Sequence, residues 1–141
     1  MPKASKQLLE AMNGALSEEL ASTIQYLWQH IMARGLQSPA IADLFKQTSM
    51  VEMDHAYKIA ERIHLLGGTP TTAIGPVKAG GDLKEMLEGD LEAERVAVRM
   101  YQDLVKLAEK EGDVVTARLA EEILGETEEH EHRLAAVLEK A

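Results

Sequence analysis

Glycine and proline are so sparse along this chain of 141 residues that little besides helix fits between them. They cluster at three places: "RGLQSP" at 34–39, "GGTPTTAIGPVKAGG" at 67–81 and "EGD" at 111–113. The four stretches they separate, about 4–34 (α1), 39–66 (α2), 82–111 (α3) and 113–140 (α4), are rich in Ala, Leu, Glu, Met and Lys, with at most one glycine in each interior. At 1.5 Å per residue each predicts a helix of about 40 Å. Ser38 is expected to cap α2 with Pro39 at its first helical position, Asp82 and Glu85 to form a capping box on α3, and Asp113 to cap α4.

The connections run short, long, short. A short link between long helices makes an antiparallel hairpin, so α1 pairs with α2 and α3 with α4. The 15 residues of 67–81 must then carry the chain along the bundle. The expected fold is all-α: a single four-helix bundle over 1–141 with one long α2–α3 crossover. No internal repeat or low-complexity segment is present.

Composition narrows the function. With no cysteine, disulfide frameworks, zinc–thiolate sites and thiol catalysis are excluded. A net charge of −9 disfavours a nucleic-acid surface and suits a cation-handling one. The start, "MPKASKQLLEAMN", has no apolar signal-peptide region, and the longest uncharged stretch, 20–33, is too short and polar to span a bilayer. The expectation is a cytoplasmic protein with no membrane contact.

"VEMDH" at 51–55 places Glu52 and His55 three residues apart, on one side of a helix. At 100° per residue, Ile41, Phe45, Ile59, Ile63 and Leu66 fall within about 40° of Glu52, which marks that side as the core face. The same projection groups Met12, Thr23 and Tyr26 with Glu19 on α1, and Leu87, Tyr101 and Val105 with Glu94 on α3. On α4 it groups Ile123, Thr127 and Leu134 with His130. A carboxylate in an apolar core costs several kcal/mol unless paired or bound to metal. Any one of these groups alone is explained as an ordinary buried polar residue. Four together, with no Lys or Arg on the same stripes, predict a metal centre at mid-height of the bundle. Carboxylates with imidazole and no thiolate suit iron or manganese. One Glu from each of two helices plus Glu-x-x-His motifs from the others is a dinuclear carboxylate pattern.

On these residues the chain resembles the bacterioferritins and their relatives in the ferritin-like family. The likeness runs through "EELASTIQY", "VEMDHAYKIAERIHLLGGTP", "DLEAER" and "EEILGETEEHEHRL". It implies a di-iron site with Glu19, Glu52, His55, Glu94 and His130 as ligands, the three glutamates being central to catalysis. The family's sixth ligand is a bridging glutamate three residues before the α4 histidine, where this chain has Thr127. Glu126, about 40° from His130 on the helix face, is the expected substitute ligand. The resemblance also implies a homo-oligomer. Family members carry a fifth short helix that helps close a shell of 24 subunits; here the sequence stops at Ala141, which leaves a dimer, decamer, dodecamer or 24-mer open.

A second apolar stripe runs along Leu20, Ile24, Leu27, Trp28 and Ile31 of α1, and Met50, Met53 and Tyr57 of α2. Trp28 lies opposite Glu19, so one core cannot use both stripes, and the second predicts a twofold subunit interface through α1 and α2. Met53 sits in it. The resemblance implies haem b held there between two subunits, though packing explains a methionine equally well.

The leading expectation is a ferroxidase that oxidises Fe(II) with O₂ or H₂O₂ and stores or detoxifies iron. Tyr26 and Tyr101 would supply an electron or orient a ligand. Three alternatives stand beside it: a peroxide-consuming, rubrerythrin-like redox protein, a DNA-protecting mini-ferritin, and a bundle whose metal site has degenerated.

Overall fold

The computed structural model describes residues 3–140. Four helices account for nearly all of them: α1 Lys6–Met32, α2 Ser38–Leu65, α3 Leu83–Lys110 and α4 Val114–Val137. Among the described residues there is no strand, and no helix is long and apolar enough to cross a membrane. The helices agree with the expected segments to within three residues at each end.

The stops and starts are local chemistry. Asp82 Oδ1 accepts from the Glu85 backbone N–H at 2.8 Å while Glu85 Oε1 accepts from the Asp82 N–H at 3.2 Å, the reciprocal capping box expected of that spacing. Asp113 caps α4 through the Thr116 N–H at 3.0 Å and pairs with Arg62 at 2.9 Å, tying the end of α2 to the start of α4. The cap of α2 differs from expectation. Gly35 turns at φ 108° and its carbonyl accepts from the Ser38 N–H. Gln37 is therefore the cap, without a side-chain bond, and Ser38 is already helical. At the end of α2, Gly67 takes φ 86°, which favours glycine, and a Cβ on Gly68 would stand 2.8 Å from Leu9 Cδ2, so the crossover leaves through a tight gap.

α1 packs along α2 and α3 along α4, with narrower α1–α3 and α2–α4 contacts closing the bundle. Cross-helix bonds fix the directions. Thr23 meets Ser49, Glu19 meets Tyr101, and Lys58 meets Glu122, each one pairing in a set that runs in opposite senses along its two helices. All four adjacent pairs are antiparallel. The crossover makes this possible by running up α1: Asn13 bonds Thr69 and Thr71, the Gly75 N–H bonds Ser17 O, and Gln25 and Gln29 reach Lys78 and Ala79.

The interior is two apolar cores. One gathers Leu8, Met12, Leu16, Ile59, Ile63, Leu104 and Ile123; the other gathers Tyr26, Phe45, Met86, Leu87, Leu91 and Leu134. Between them lies a layer of buried ionisable side chains.

Candidate metal centre

Each helix contributes to that layer at the height where the two cores part. Glu19, Glu52, His55, Glu94 and His130 are all buried, as their positions on the helical projection predict, and the neighbouring Glu18 is exposed. They form two groups: Glu19, Glu52 and His55, and Glu52, Glu94 and His130. Within each group one candidate ligand atom per residue lies within 4.8 Å of the others. Glu52 belongs to both, and its two oxygens divide between them. Oε2 faces His55 Nδ1 at 3.9 Å, and Oε1 faces His130 Nδ1 at 3.1 Å. Glu19 Oε2 stands 3.5 Å from His55 Nδ1, and Glu94 Oε1 stands 3.6 Å from His130 Nδ1.

The outer carboxylates are held from across the bundle. Tyr101 of α3 donates to Glu19 Oε1 at 2.5 Å, and Tyr26 of α1 donates to Glu94 Oε1 at 2.8 Å. Both tyrosines thus orient candidate ligands, one of the two roles expected of them.

Three carboxylates crowd this space, and among the described residues no Lys or Arg pairs with any of them. Burial pushes the Glu19 carboxyl up to about 7. Burial, with the charge of Glu19 beside it, pushes Glu52 up to about 8. Glu94 is raised by burial and by Glu52. Burial acts to lower His130, but its hydrogen bonds to Glu52 and Glu94 outweigh that and hold it up at about 10. These shifts follow from burying three neighbouring acids in one layer. Glu19 Oε2 and His55 Nδ1 are buried without a hydrogen-bond partner. A carboxylate oxygen and an imidazole nitrogen facing each other unsatisfied form the donor set of a divalent ion.

Glu126, expected as the sixth ligand, lies outside both groups, and Met53 keeps the place in the outer stripe expected of it. Glu126 Oε2 is 2.6 Å from His55 Nε2, on the edge of the ring away from Nδ1, and its side chain is partly exposed. Met53 is on the outer face, 46% exposed. Thr127 is buried at the missing glutamate's position and spends its hydroxyl on the Ile123 carbonyl of its own helix at 2.7 Å. The residue missed by the sequence reading is Asp90, fully buried one helical turn before Glu94. It projects onto the Glu94 stripe, about 40° away, so its position carried the signal.

A cavity of about 360 Å³ opens beside the centre, between α1, α3 and the crossover. Glu19, Glu52 and Glu94 form its floor, and Glu18, Gln25, Pro76, Lys78 and Glu92 are among its other lining residues.

Known proteins resemble this chain in sequence and in fold. Residues 9–141 match the ferritin-like domain family. A bacterioferritin of Desulfovibrio desulfuricans is 35% identical over 125 residues, covering 88% of this chain and 70% of its own. A ferritin-like diiron-carboxylate protein from Bacillus anthracis superposes with a TM-score of 0.91 at 28% identity, covering 94% of this chain and 96% of its own. The Rhodobacter capsulatus bacterioferritin, whose structure has a metal-free dinuclear site and haem iron, superposes at 0.86 with 29% identity over 95% of this chain and 84% of its own. In sequence and in fold, then, the chain belongs to the ferritin-like family.

Proposed function

We propose that this protein takes up Fe(II), oxidises it at a dinuclear centre formed by Glu19, Glu52, His55, Glu94 and His130, and stores or detoxifies the ferric product. The carrying observation is the pair of buried ligand groups that share Glu52. A carboxylate with one oxygen toward each group is placed to bridge two ions and so to hold them within reach of one oxidant. Each Fe(II) gives one electron. Two electrons and two protons take O₂ to H₂O₂, or H₂O₂ to two waters. Iron is the substrate here, and manganese suits the same oxygen and nitrogen donors.

The cavity beside the centre supports direct access from the surface, with Glu18 and Glu92 in its wall to attract a cation. Glu126 acts on the centre through His55. A carboxylate on Nε2 fixes the ring and strengthens Nδ1 as a donor, an outer-shell role often worth 10- to 100-fold in metal affinity. It stands in for the charge of the family's sixth ligand and not for its position.

The outer apolar stripe supports an assembly. Ile24, Leu27, Trp28, Ile31, Met50, Met53 and Tyr57 are between 40% and 69% exposed on adjacent helices. A twofold partner would cover them through α1 and α2, and Met53 from each subunit would then flank a haem.

Anaerobic Fe(II) titration of the wild type and Glu52→Ala tests the centre. Two ions per chain are expected in the first and at most one weakly held ion in the second, because both groups lose a ligand. Equal stoichiometry and affinity in both would show that iron binds elsewhere.

A further inference from the structure

A second buried polar cluster adjoins the metal centre and is not part of it. Asp90 of α3 and Gln29 of α1 are each 0% exposed, and Gln25 of α1 is buried beside them. Gln25 faces two ways. Its Nε2 donates to Asp90 Oδ1 at 2.7 Å, and its Oε1 accepts from the Lys78 backbone N–H at 3.1 Å. Gln29 donates from Nε2 to the Ala79 carbonyl at 3.3 Å, and its amide, like that of Gln25, favours the charged form of the Asp90 carboxyl. Two buried glutamines thus bind the backbone of two consecutive crossover residues, and Asp90 anchors Gln25 from α3. Among the described residues, no charged Lys, Arg or His side chain pairs with these three residues.

Two oxygens in the cluster, Asp90 Oδ2 and Gln29 Oε1, have no partner. Burial is the main reason the Asp90 carboxyl is pushed up to about 7. A protonated Asp90 turns one of the two free acceptors into a donor.

Its position gives it a consequence. Gln25, Pro76 and Lys78 are in the wall of the cavity whose floor is Glu19, Glu52 and Glu94. The crossover is the one wall of that cavity that is not helix, and residues 78–79 are fastened to α1 by these two glutamines. We infer that Asp90 is a positioning residue which, through Gln25 and Gln29, latches the crossover over the mouth of the cavity and thereby sets how fast a divalent cation reaches the centre. This rests on the proposed metal centre for its second half only, since the latch itself is a statement about the crossover.

The test uses the full chain, with Co²⁺ as a redox-inert probe. Three variants are compared with the wild type: Asp90→Ala, Asp90→Asn and Gln25→Met. Hydrogen exchange of the Lys78 amide reads the latch, and stopped-flow absorbance of Co²⁺ reads access. Asp90→Asn keeps an acceptor for Gln25 and gains a donor for Gln29, so its Lys78 amide and Co²⁺ association should match the wild type. Asp90→Ala and Gln25→Met should speed Lys78 exchange by about tenfold, the effect of one lost hydrogen bond on local opening. Both should also speed Co²⁺ association while leaving its stoichiometry unchanged. Unchanged Lys78 exchange in Gln25→Met overturns the latch even if Asp90→Ala fails to fold. Faster exchange with unchanged Co²⁺ association overturns its control of access. A wild type that binds no Co²⁺ refutes the metal centre and with it control of access; the exchange data still decide the latch.

Discussion

Replacing Thr127 by glutamate restores a fourth carboxylate to the wall of the metal centre. Glu19, Glu52 and Glu94 bring three negative charges against the four positive charges of two divalent ions, so the loaded centre carries one charge that its ligands do not balance. A unit negative charge about 4 Å from a divalent ion is worth about 2 kcal/mol at the dielectric of water and several times that at an effective value near 20. The lower figure already tightens the second ion by about 30-fold. The same carboxylate is a burden without metal. Thr127 is 2% exposed, its hydroxyl is satisfied by Ile123, and a further buried acid there destabilises the metal-free fold by about 2–4 kcal/mol. The variant should therefore melt earlier than the wild type when metal-free and later when loaded. Calorimetric Co²⁺ titration gives the affinity, thermal melts with and without Co²⁺ give the stability, and stopped-flow absorbance at two Fe(II) per chain gives the oxidation rate. Glu126→Ala is the companion. It should keep two ions per chain but hold the ion at His55 about 10- to 100-fold less tightly. If Thr127→Glu binds the second ion no more tightly and oxidises iron no faster, the charge-balance account of this centre is wrong.

Other consequences follow from the same geometry. With Glu19 raised to about 7, Glu52 to about 8 and His130 to about 10, the folded chain binds more protons than the unfolded one above pH ~4.5. Metal-free stability should then fall as pH rises from about 5 towards 8, whereas Co²⁺ affinity should rise over the same range as protons leave the ligands; a metal-free melting temperature that climbs towards pH 8 would contradict this. Trp28→Glu, which puts a charge in the outer apolar stripe, should shift the assembly towards monomers by analytical ultracentrifugation, and an unchanged sedimentation coefficient would place the subunit interface elsewhere. Met53→Leu should remove the Soret band of protein reconstituted with haem while leaving Fe(II) stoichiometry unaltered; a retained band would assign haem to other ligands.

The bundle was legible because glycine and proline mark its corners and because helical periodicity sorts inner from outer residues. Glu19 was separated from Glu18, and Trp28 from the core, by angle alone. Caps that rest on side-chain chemistry, at Asp82 and Asp113, were visible for the same reason. The start of α2 was not, because the turn at Gly35 and not the Ser38 side chain decides it. Within the centre, orientation about a helix axis is periodic but reach across the bundle is not. Glu126 projects near His130 on its own helix, yet its contact is with His55 of α2, at a distance no single-helix projection contains. Gln25 and Gln29 point well off the Glu19 stripe, about 120° and 80° from it, so the helical projection does not mark them as buried. They are buried because a loop without regular structure happens to cover them, which only the folded chain reveals.

The exchange of tyrosines between hairpins has a consequence for assembly of the fold itself. Glu19 is steadied by Tyr101 and Glu94 by Tyr26, so each hairpin carries one outer carboxylate and the hydroxyl that aligns the other. The α1–α2 hairpin holds one ligand group, Glu19, Glu52 and His55, but takes the hydroxyl that aligns it from α3, and the second group spans both hairpins. Sliding one against the other by a single helical turn, about 5.4 Å, would part both pairs at once. Apolar side chains on long, similar helices discriminate poorly between neighbouring registers, whereas these two hydrogen bonds and the shared Glu52 accept one. The ionisable layer thus acts as a gauge for the bundle, accepting one register of the two hairpins.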